Sequence, residues 1–109
     1  MRFQTHHNAD IDPNFTSLQD CITADYQVLC AMFGEPMNGD GRKVDAEWHI
    51  LFPDPEIVAT IYNWKNGRNY RGLDGLDTKD ITEWHIGGHT ALAAILVKQV
   101  IESALQEEA

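Results

Sequence analysis

The chain has 109 residues, and its 17 Asp and Glu against 8 Lys and Arg give a formal net charge of −9 at pH 7. Its length and its hydrophobic fraction of 43% are typical of one globular domain. The negative charge argues against direct binding of nucleic acid or of an anionic membrane, because both would carry charge of the same sign.

The first part of the chain predicts a helix. Residues 1–16 are polar and predict a flexible lead-in or a short edge strand, which leaves 17–109 as a single domain. Ser17 and Asp20 form an approximate capping box, and Gly34 followed by Pro36 is a typical helix stop. Between them, apolar residues recur at helical spacing: Leu18, Cys21, Ile22, Leu29, Met32 and Phe33.

This predicted helix also bears on the compartment. It would hold Cys21 and Cys30 about 13 Å apart on its apolar stripe, too far for a disulfide. Free thiols favour a reducing compartment. The first ten residues lack the apolar run of a secretory signal, and the longest apolar stretch is interrupted by Lys98 and Gln99. We therefore expect a cytoplasmic protein.

Three strands should follow the helix. In KVDAEWHILF (43–52) apolar residues alternate with polar ones, which predicts a half-buried strand. The segment PDPE (53–56) predicts a turn, and IVATIYNW (57–64) a second strand that pairs antiparallel with the first. In that second strand, Ile57, Ala59 and Ile61 are the expected core set. The segment ITEWHI (81–86) predicts a third strand.

The C-terminal segment predicts a long helix from Thr90 to about Leu105. Its apolar residues cover more than one face, so the helix is either buried centrally or shared with a second copy, and we favour the second: a homodimer or higher oligomer through residues 90–105. The predicted fold class is α+β, with a three-stranded antiparallel sheet flanked by an N-terminal and a C-terminal helix (α-β-β-β-α).

Residue groupings that could carry chemistry are few. His85 falls on a strand and His89 at a helix start, with two glycines between them, so they are not expected to converge on a metal. We predict neither a metal site nor a cofactor. The turn Gly87-Gly88-His89-Thr90 either cradles a phosphate or needs glycine dihedrals for a tight connection. A hydrolase or nuclease would depend on Glu47, His49 or His85.

The segment ATIYNWKNGRNYRG (59–72) is the strongest candidate for a site. It gathers aromatic and basic side chains in an acidic chain, and five of the eight basic residues lie between positions 42 and 71: Arg42, Lys43, Lys65, Arg68 and Arg71. Aromatic faces beside cations suit a nucleobase with a phosphate. The candidate ligand-binding residues are Tyr62, Trp64, Arg68, Tyr70, Arg71 and His89. An ordinary packed strand face is the alternative.

Four segments together resemble a group of small bacteriophage proteins: FGEP (33–36), GDGRKVDAEW (39–48), ATIYNWKNGRNY (59–70) and ITEWHIGG (81–88). The resemblance covers roughly residues 17 to 100, and PDPE replaces the Asp-Gly turn expected in the hairpin. It implies a counter-defence role in the cytoplasm of an infected bacterial host. Two classes are relevant: anti-CRISPR-like inhibitors, and sponges that sequester a cyclic-nucleotide immune signal.

The leading hypothesis is a non-enzymatic inhibitor that presents an acidic surface to the basic groove of a host defence protein, for example a nucleic-acid-binding effector. Its candidate contacts are Asp45, Glu47, Asp74, Asp77, Asp80 and Glu83. The first alternative is the nucleotide sponge, which uses the aromatic and basic residues. The second is a structural or virion-associated oligomer held by the last helix.

Overall fold

The structure, a computed structural model, describes residues 2–53 and 55–108, and within them the chain forms one antiparallel sheet with two helices packed on one face. Its six strands follow the order β1-β4-β5-β6-β2, with β3 pairing beside β1 on the outer edge of β4. The strands are β1 Gln4–Thr5, β2 Ser17–Thr23, β3 Met37–Asn38, β4 Ala46–Phe52, β5 Ile57–Tyr62 and β6 Glu83–Gly88. The helices are α1 Tyr26–Phe33, α2 Arg68–Arg71 and α3 Ala91–Glu108, and 3-10 turns span Gly72–Asp74 and Thr78–Asp80.

The core lies between one face of the sheet and helices α1 and α3. Strands β4 to β6 direct alternate side chains into it: Ala46, Trp48, Ile50, Phe52, Ala59, Ile61, Trp84 and Ile86. The rings of Trp48 and Trp84 meet edge to face with centroids 5.3 Å apart, and both are fully buried. Each indole N–H donates to a backbone carbonyl, of Gly34 at 2.8 Å and of Ala24 at 2.9 Å respectively. The two largest core side chains are thus buried without an unpaired polar atom.

The predicted three-stranded sheet flanked by two helices is wrong, although the α+β class holds. Residues Ser17–Thr23 do not begin a helix; they form β2, which pairs antiparallel with β6 at the sheet edge. A register shift between Leu18 and Asp20 interrupts the alternation of side chains that would have indicated a strand. Without that alternation, the apolar residues between Leu18 and Phe33 recur at helical spacing and favour one long helix. The helix that forms in this segment, α1, is only eight residues long.

Correcting the helix also corrects the cysteines. Cys21 lies on the edge strand β2 and is exposed, while Cys30 lies on α1 and is partly buried; both are free. Burial raises the pKa of the Cys30 thiol, which also lies beside the Tyr26 hydroxyl. The two thiols are therefore in different environments, and the prediction that Cys21 lies on the apolar stripe of a helix is wrong.

The central hairpin and the last helix are where the sequence placed them. Strands β4 and β5 pair antiparallel with Trp48 opposite Ile61, which puts the expected core residues on the helix side. Asp54 in the PDPE turn lies outside the described residues. Strand β6 begins two residues later than predicted, and Ile81 before it is fully buried. No helix in the described part of the chain combines the length and apolar content that crossing a bilayer requires.

The segment before β2 is joined to the sheet at both ends. Thr5 pairs with Ile50 on β4, and Ser17 pairs with Gly88 on β6, which is two strands away across β5. Between them, His89 and the carbonyl of Asn14 are joined by a hydrogen bond of 2.9 Å. Residues 6–16 therefore connect the two sides of the sheet, and they contribute to the site described next.

A candidate ligand groove on the open sheet face

The sheet face opposite the helices carries a row of side chains with functional groups. In the strand register Glu47 is opposite Tyr62, Tyr62 is opposite His85, and His85 is opposite Cys21. Paired positions of antiparallel strands direct their side chains to the same face, with Cβ atoms about 4.5–5.5 Å apart. Four neighbouring strands thus place a carboxylate, a phenol, an imidazole and a thiol side by side.

An aromatic cluster stands over the middle of this row. The ring centroids of Tyr62 and His85 are 5.5 Å apart, and Trp64 lies 6.3 Å from His85 with the two planes inclined by only 23°. Trp64 also meets Tyr62 edge to face at 6.2 Å. Trp64 is still 41% exposed, so part of its ring remains accessible for stacking.

Burial controls the protonation of this cluster. Desolvation lowers the pKa of His85, which favours the neutral imidazole. Desolvation also raises the pKa of Tyr62, and the negative charge of Glu47 raises it further. At neutral pH the cluster therefore presents a neutral imidazole and a protonated phenol.

A groove of about 340 Å³ opens beside the cluster. This is within the range of about 300–1,000 Å³ that small-molecule sites occupy. The residues that line it come from the segment before β2, from the loop before β4, and from β4 and β5 with the residues after it: Pro13, Thr16, Asp40, Val44, Glu47, Thr60, Tyr62 and Trp64.

Two glycines shape the sheet beneath. Gly87 on β6 lies opposite Thr60 on β5. A Cβ on Gly87 would come within 2.5 Å of the Thr60 hydroxyl oxygen. A Cβ on Gly88 would lie 2.4 Å from the Cβ of Ala93 in α3. Both glycines lie within β6 and allow close packing on its two faces. The phosphate-cradle interpretation of Gly87-Gly88-His89-Thr90 therefore has no support from the position of these residues.

Two lysines converge on the exposed indole. The Nζ atom of Lys43 lies 5.4 Å from the Trp64 ring centroid, and that of Lys65 lies 5.7 Å from it. Lys65 also lies 5.3 Å from the ring of Tyr70. The backbone of Lys65 has φ 62°, an unfavourable value for a residue with a side chain. The Lys65 N–H donates to the Lys43 carbonyl at 2.9 Å. The backbones of the two lysines are thus joined, and both ammonium groups lie within cation–π distance of the Trp64 ring.

The two carboxylates of the groove are already oriented. The Asp40 carboxylate accepts hydrogen bonds from the backbone N–H groups of Arg42, Lys43 and Val44, which lower its pKa. Glu47 is bonded to the ring of His49 at 2.5 Å between Oε2 and Nε2. Asp40 thus orders the backbone that carries Lys43, and His49 fixes the direction of Glu47.

The candidate ligand-binding residues divide into two groups. Tyr62 and Trp64 line the groove, whereas Tyr70 lies outside it, with its ring 5.3 Å from the Nζ atom of Lys65. Arg68 forms an ion pair of 2.8 Å with Asp77, and the Arg71 side chain donates to the Lys65 carbonyl at 2.8 Å. His89 lies beside Val58, near the end of β5 that is far from Tyr62. The sequence did not single out Thr60, Pro13 or Thr16 as groove residues.

The candidate partner-binding residues are mostly engaged within the chain. Asp45 accepts from Asn63 and from the Asn69 backbone, and Asp77 pairs with Arg68. Glu47 is bonded to His49, and Glu83 accepts from the Thr23 hydroxyl at 3.2 Å. Asp74 and Asp80 are exposed on the 3-10 turns.

In the described ranges, no three His, Cys, Asp or Glu side chains are grouped so that they could hold a metal ion. Comparisons of the chain with protein-family models, with curated proteins and with solved structures give no match.

Proposed function

We propose that this protein binds a nucleotide in the groove of its open sheet face and holds it without chemical turnover. The observation that supports this most directly is Trp64, an exposed indole with the ammonium groups of Lys43 and Lys65 near its ring at the edge of the groove. A base would stack on the indole, and its phosphate would interact with the lysines.

The charge distribution supports an anionic ligand at this place despite the net charge of −9. The carboxylates that line the groove accept hydrogen bonds from backbone N–H groups or are hydrogen-bonded to His49, while the ammonium groups of Lys43 and Lys65 lie 5.4 Å and 5.7 Å from the Trp64 ring centroid. A compact anion beside the lysines avoids most of the negative surface, whereas a long polyanion would have to cross it. A free nucleotide therefore fits better than a nucleic acid strand.

The biological form of this proposal is the nucleotide sponge that the phage resemblance implies. A protein that binds a signal nucleotide tightly and does not convert it lowers the free concentration available to a host effector. The inhibitor hypothesis also remains a proposal. The groove is the better-supported candidate, because Trp64 and two lysines lie beside it, whereas Asp45, Asp77 and Glu83 among the proposed acidic contacts already have partners within the chain.

Self-association through residues 90–105 stays a prediction too. Leu92 and Ile95 of α3 are 42% and 50% exposed, while Val97 is fully buried in the core. An oligomer would not compete with the groove, because α3 packs on the opposite face of the sheet.

The proposal is tested by isothermal titration calorimetry with the four 5′-ribonucleoside monophosphates. We expect at least one to bind the wild-type protein, and Trp64→Ala to weaken that binding roughly tenfold, since a stacked base contributes about 1–3 kcal/mol. Leu73→Ala is the matched control, because Leu73 is a 93% exposed apolar residue outside the groove. The proposal fails if none of the four nucleotides binds. Recovery of unaltered nucleotide after incubation tests the absence of turnover.

A further inference from the structure

We infer that the groove selects guanine among the bases, with Glu47 as the residue that determines specificity. This inference rests on the proposed function, because it assumes that a base stacks on Trp64. It adds which base, and which atoms of the protein recognise it.

The position of Glu47 suits recognition of a base edge. Glu47 is opposite Tyr62 on the neighbouring strand, and Trp64 follows Tyr62 by two residues, just beyond the end of β5. Both Glu47 and Trp64 line the groove. A purine stacked on the indole can therefore direct its Watson–Crick edge to the carboxylate.

The Glu47 carboxylate is restricted in orientation but still has free acceptor sites. One oxygen, Oε2, is bonded to Nε2 of His49 at 2.5 Å, and the two side chains are 28% and 14% exposed. An ionised carboxylate offers about four lone-pair positions on its two oxygens. One bond to His49 leaves the other positions available for two parallel donors from a ligand.

Guanine is the base that matches such an acceptor. Its N1–H and its exocyclic N2 amino group are adjacent donors, and they can meet the two carboxylate oxygens with two charge-assisted hydrogen bonds. Adenine and cytosine each present a ring-nitrogen acceptor beside their amino group, which would face the carboxylate with lone pair against lone pair. Uracil offers a single N–H between two carbonyl oxygens. The groove thus both attracts guanine and disfavours the other bases.

The other polar residues of the groove, among them Thr60, are compatible with this choice. Thr60 lies in the strand register opposite His49 and offers a hydroxyl, which can donate or accept. It does not discriminate between bases by itself. Of the two carboxylates in the groove, Asp40 already accepts three backbone N–H groups through Oδ1, so the discrimination falls on Glu47.

The test compares GMP, IMP and AMP by calorimetry under one set of buffer and salt conditions. IMP keeps N1–H but lacks the N2 amino group, so the expected order of affinity is GMP, then IMP, then AMP, with GMP at least tenfold tighter than AMP. Glu47→Gln should weaken GMP at least fivefold and leave AMP nearly unchanged. Glu83→Gln is the matched control, since Glu83 is an exposed strand glutamate outside the groove, and it should preserve the order.

The possible failures are distinguishable. If AMP binds as tightly as GMP, or if Glu47→Gln weakens all three nucleotides equally, guanine selection is overturned while nucleotide binding stands. If no nucleotide binds the wild-type protein, the proposed function itself fails. Thermal melting of each variant verifies that it is folded, and Glu47→Asp, which keeps the charge, should retain a preference for GMP if the carboxylate recognises the base.

Discussion

Asn63 and Asp45 hold each other through hydrogen bonds in both directions. The Oδ1 atom of Asn63 accepts from the backbone N–H of Asp45 at 2.7 Å and of Ala46 at 3.1 Å, while its Nδ2 donates to the Asp45 carboxylate at 2.9 Å and to Asn66 at 3.0 Å. The amide is fully buried and its donors and acceptor are all used. It ties the end of one central strand to the start of the other, immediately before Trp64.

Replacing Asn63 should therefore destabilise the fold and disturb the groove. Asn63→Ala leaves two backbone N–H groups without their acceptor, and each buried unpaired group costs about 1–3 kcal/mol. We expect a loss of at least about 2 kcal/mol in the free energy of unfolding, measured by urea denaturation. Asn38→Ala, at an exposed position on β3, should change stability by less than about 0.5 kcal/mol. Equal effects of the two substitutions would show that the Asn63 network is unimportant.

The two lysines near Trp64 should contribute to nucleotide binding, whereas Arg68 should not. Lys43→Gln and Lys65→Gln should each weaken GMP roughly threefold, because partly exposed charge pairs contribute about 0.2–1 kcal/mol. Arg68→Gln should have little effect, since its guanidinium pairs with Asp77 at 2.8 Å.

Salt provides the control for this electrostatic effect. Added NaCl should weaken GMP binding to the wild-type protein more than to the variant that carries both lysine substitutions. If Arg68→Gln is the most damaging of the three substitutions, the phosphate lies elsewhere than we propose.

Gly88 should tolerate no side chain while Ala93 faces it. Gly88→Ala would place a Cβ 2.4 Å from the Cβ of Ala93 and 3.3 Å from the Val58 carbonyl oxygen. Overpacking of this kind costs about 1–3 kcal/mol of stability. In a double-mutant cycle with Ala93→Gly, measured by urea denaturation, the second substitution should relieve part of the loss. Strictly additive losses would show that the Cβ–Cβ contact is not the cause.

His85 should make stability depend on pH below its ordinary pKa of 6.5, which is lowered in the folded protein by burial. As the pH falls, the unfolded chain takes up a proton at this residue before the folded protein does. Protonation therefore stabilises the unfolded state relative to the folded state. The contribution of His85 to the free energy of unfolding is therefore fully present above pH 6.5. It is lost as the pH falls from there toward the lowered pKa.

The measurement is urea denaturation of wild type and His85→Gln at pH 8, 6.5 and 5. The wild-type protein should lose more stability across this series than the variant does. Stopping at pH 5 keeps the series above the ordinary pKa of 3.8 for Asp20 and Asp40, whose lowered values cause losses only at more acid pH. Parallel curves for the two proteins would refute the assignment of this pH dependence to His85.

The sequence predicts what depends on local repetition. Alternation of apolar residues from Ala46 to Phe52 indicates β4, and the apolar residues after Thr90 indicate α3. Strand β2 is not predictable in this way because its irregular register at Leu18 hides the alternation. Strands β1 and β3 are two residues long, which is too short for a periodic signal.

The groove is only partly predictable, because its residues come from distant segments. The segment that contains Tyr62 and Trp64 could be singled out by composition. The convergence of Lys43 with Lys65 depends on the bond between Lys65 N–H and the Lys43 carbonyl, across 22 positions of the chain. Pro13 and Thr16 reach the groove because the chain passes from β1 to β2 over the sheet, a connection that local patterns do not encode.

The central claim, that a nucleotide stacks on Trp64, is tested most directly by the three indole N–H signals in a ¹H–¹⁵N NMR spectrum during titration with GMP. The indoles of Trp48 and Trp84 are fully buried and bonded to backbone carbonyls, whereas Trp64 is 41% exposed, and Trp64→Phe assigns its signal. We predict that the Trp64 signal shifts progressively to saturation while the other two move little. An unmoved Trp64 signal at millimolar GMP, or equal shifts of all three, would contradict the claim.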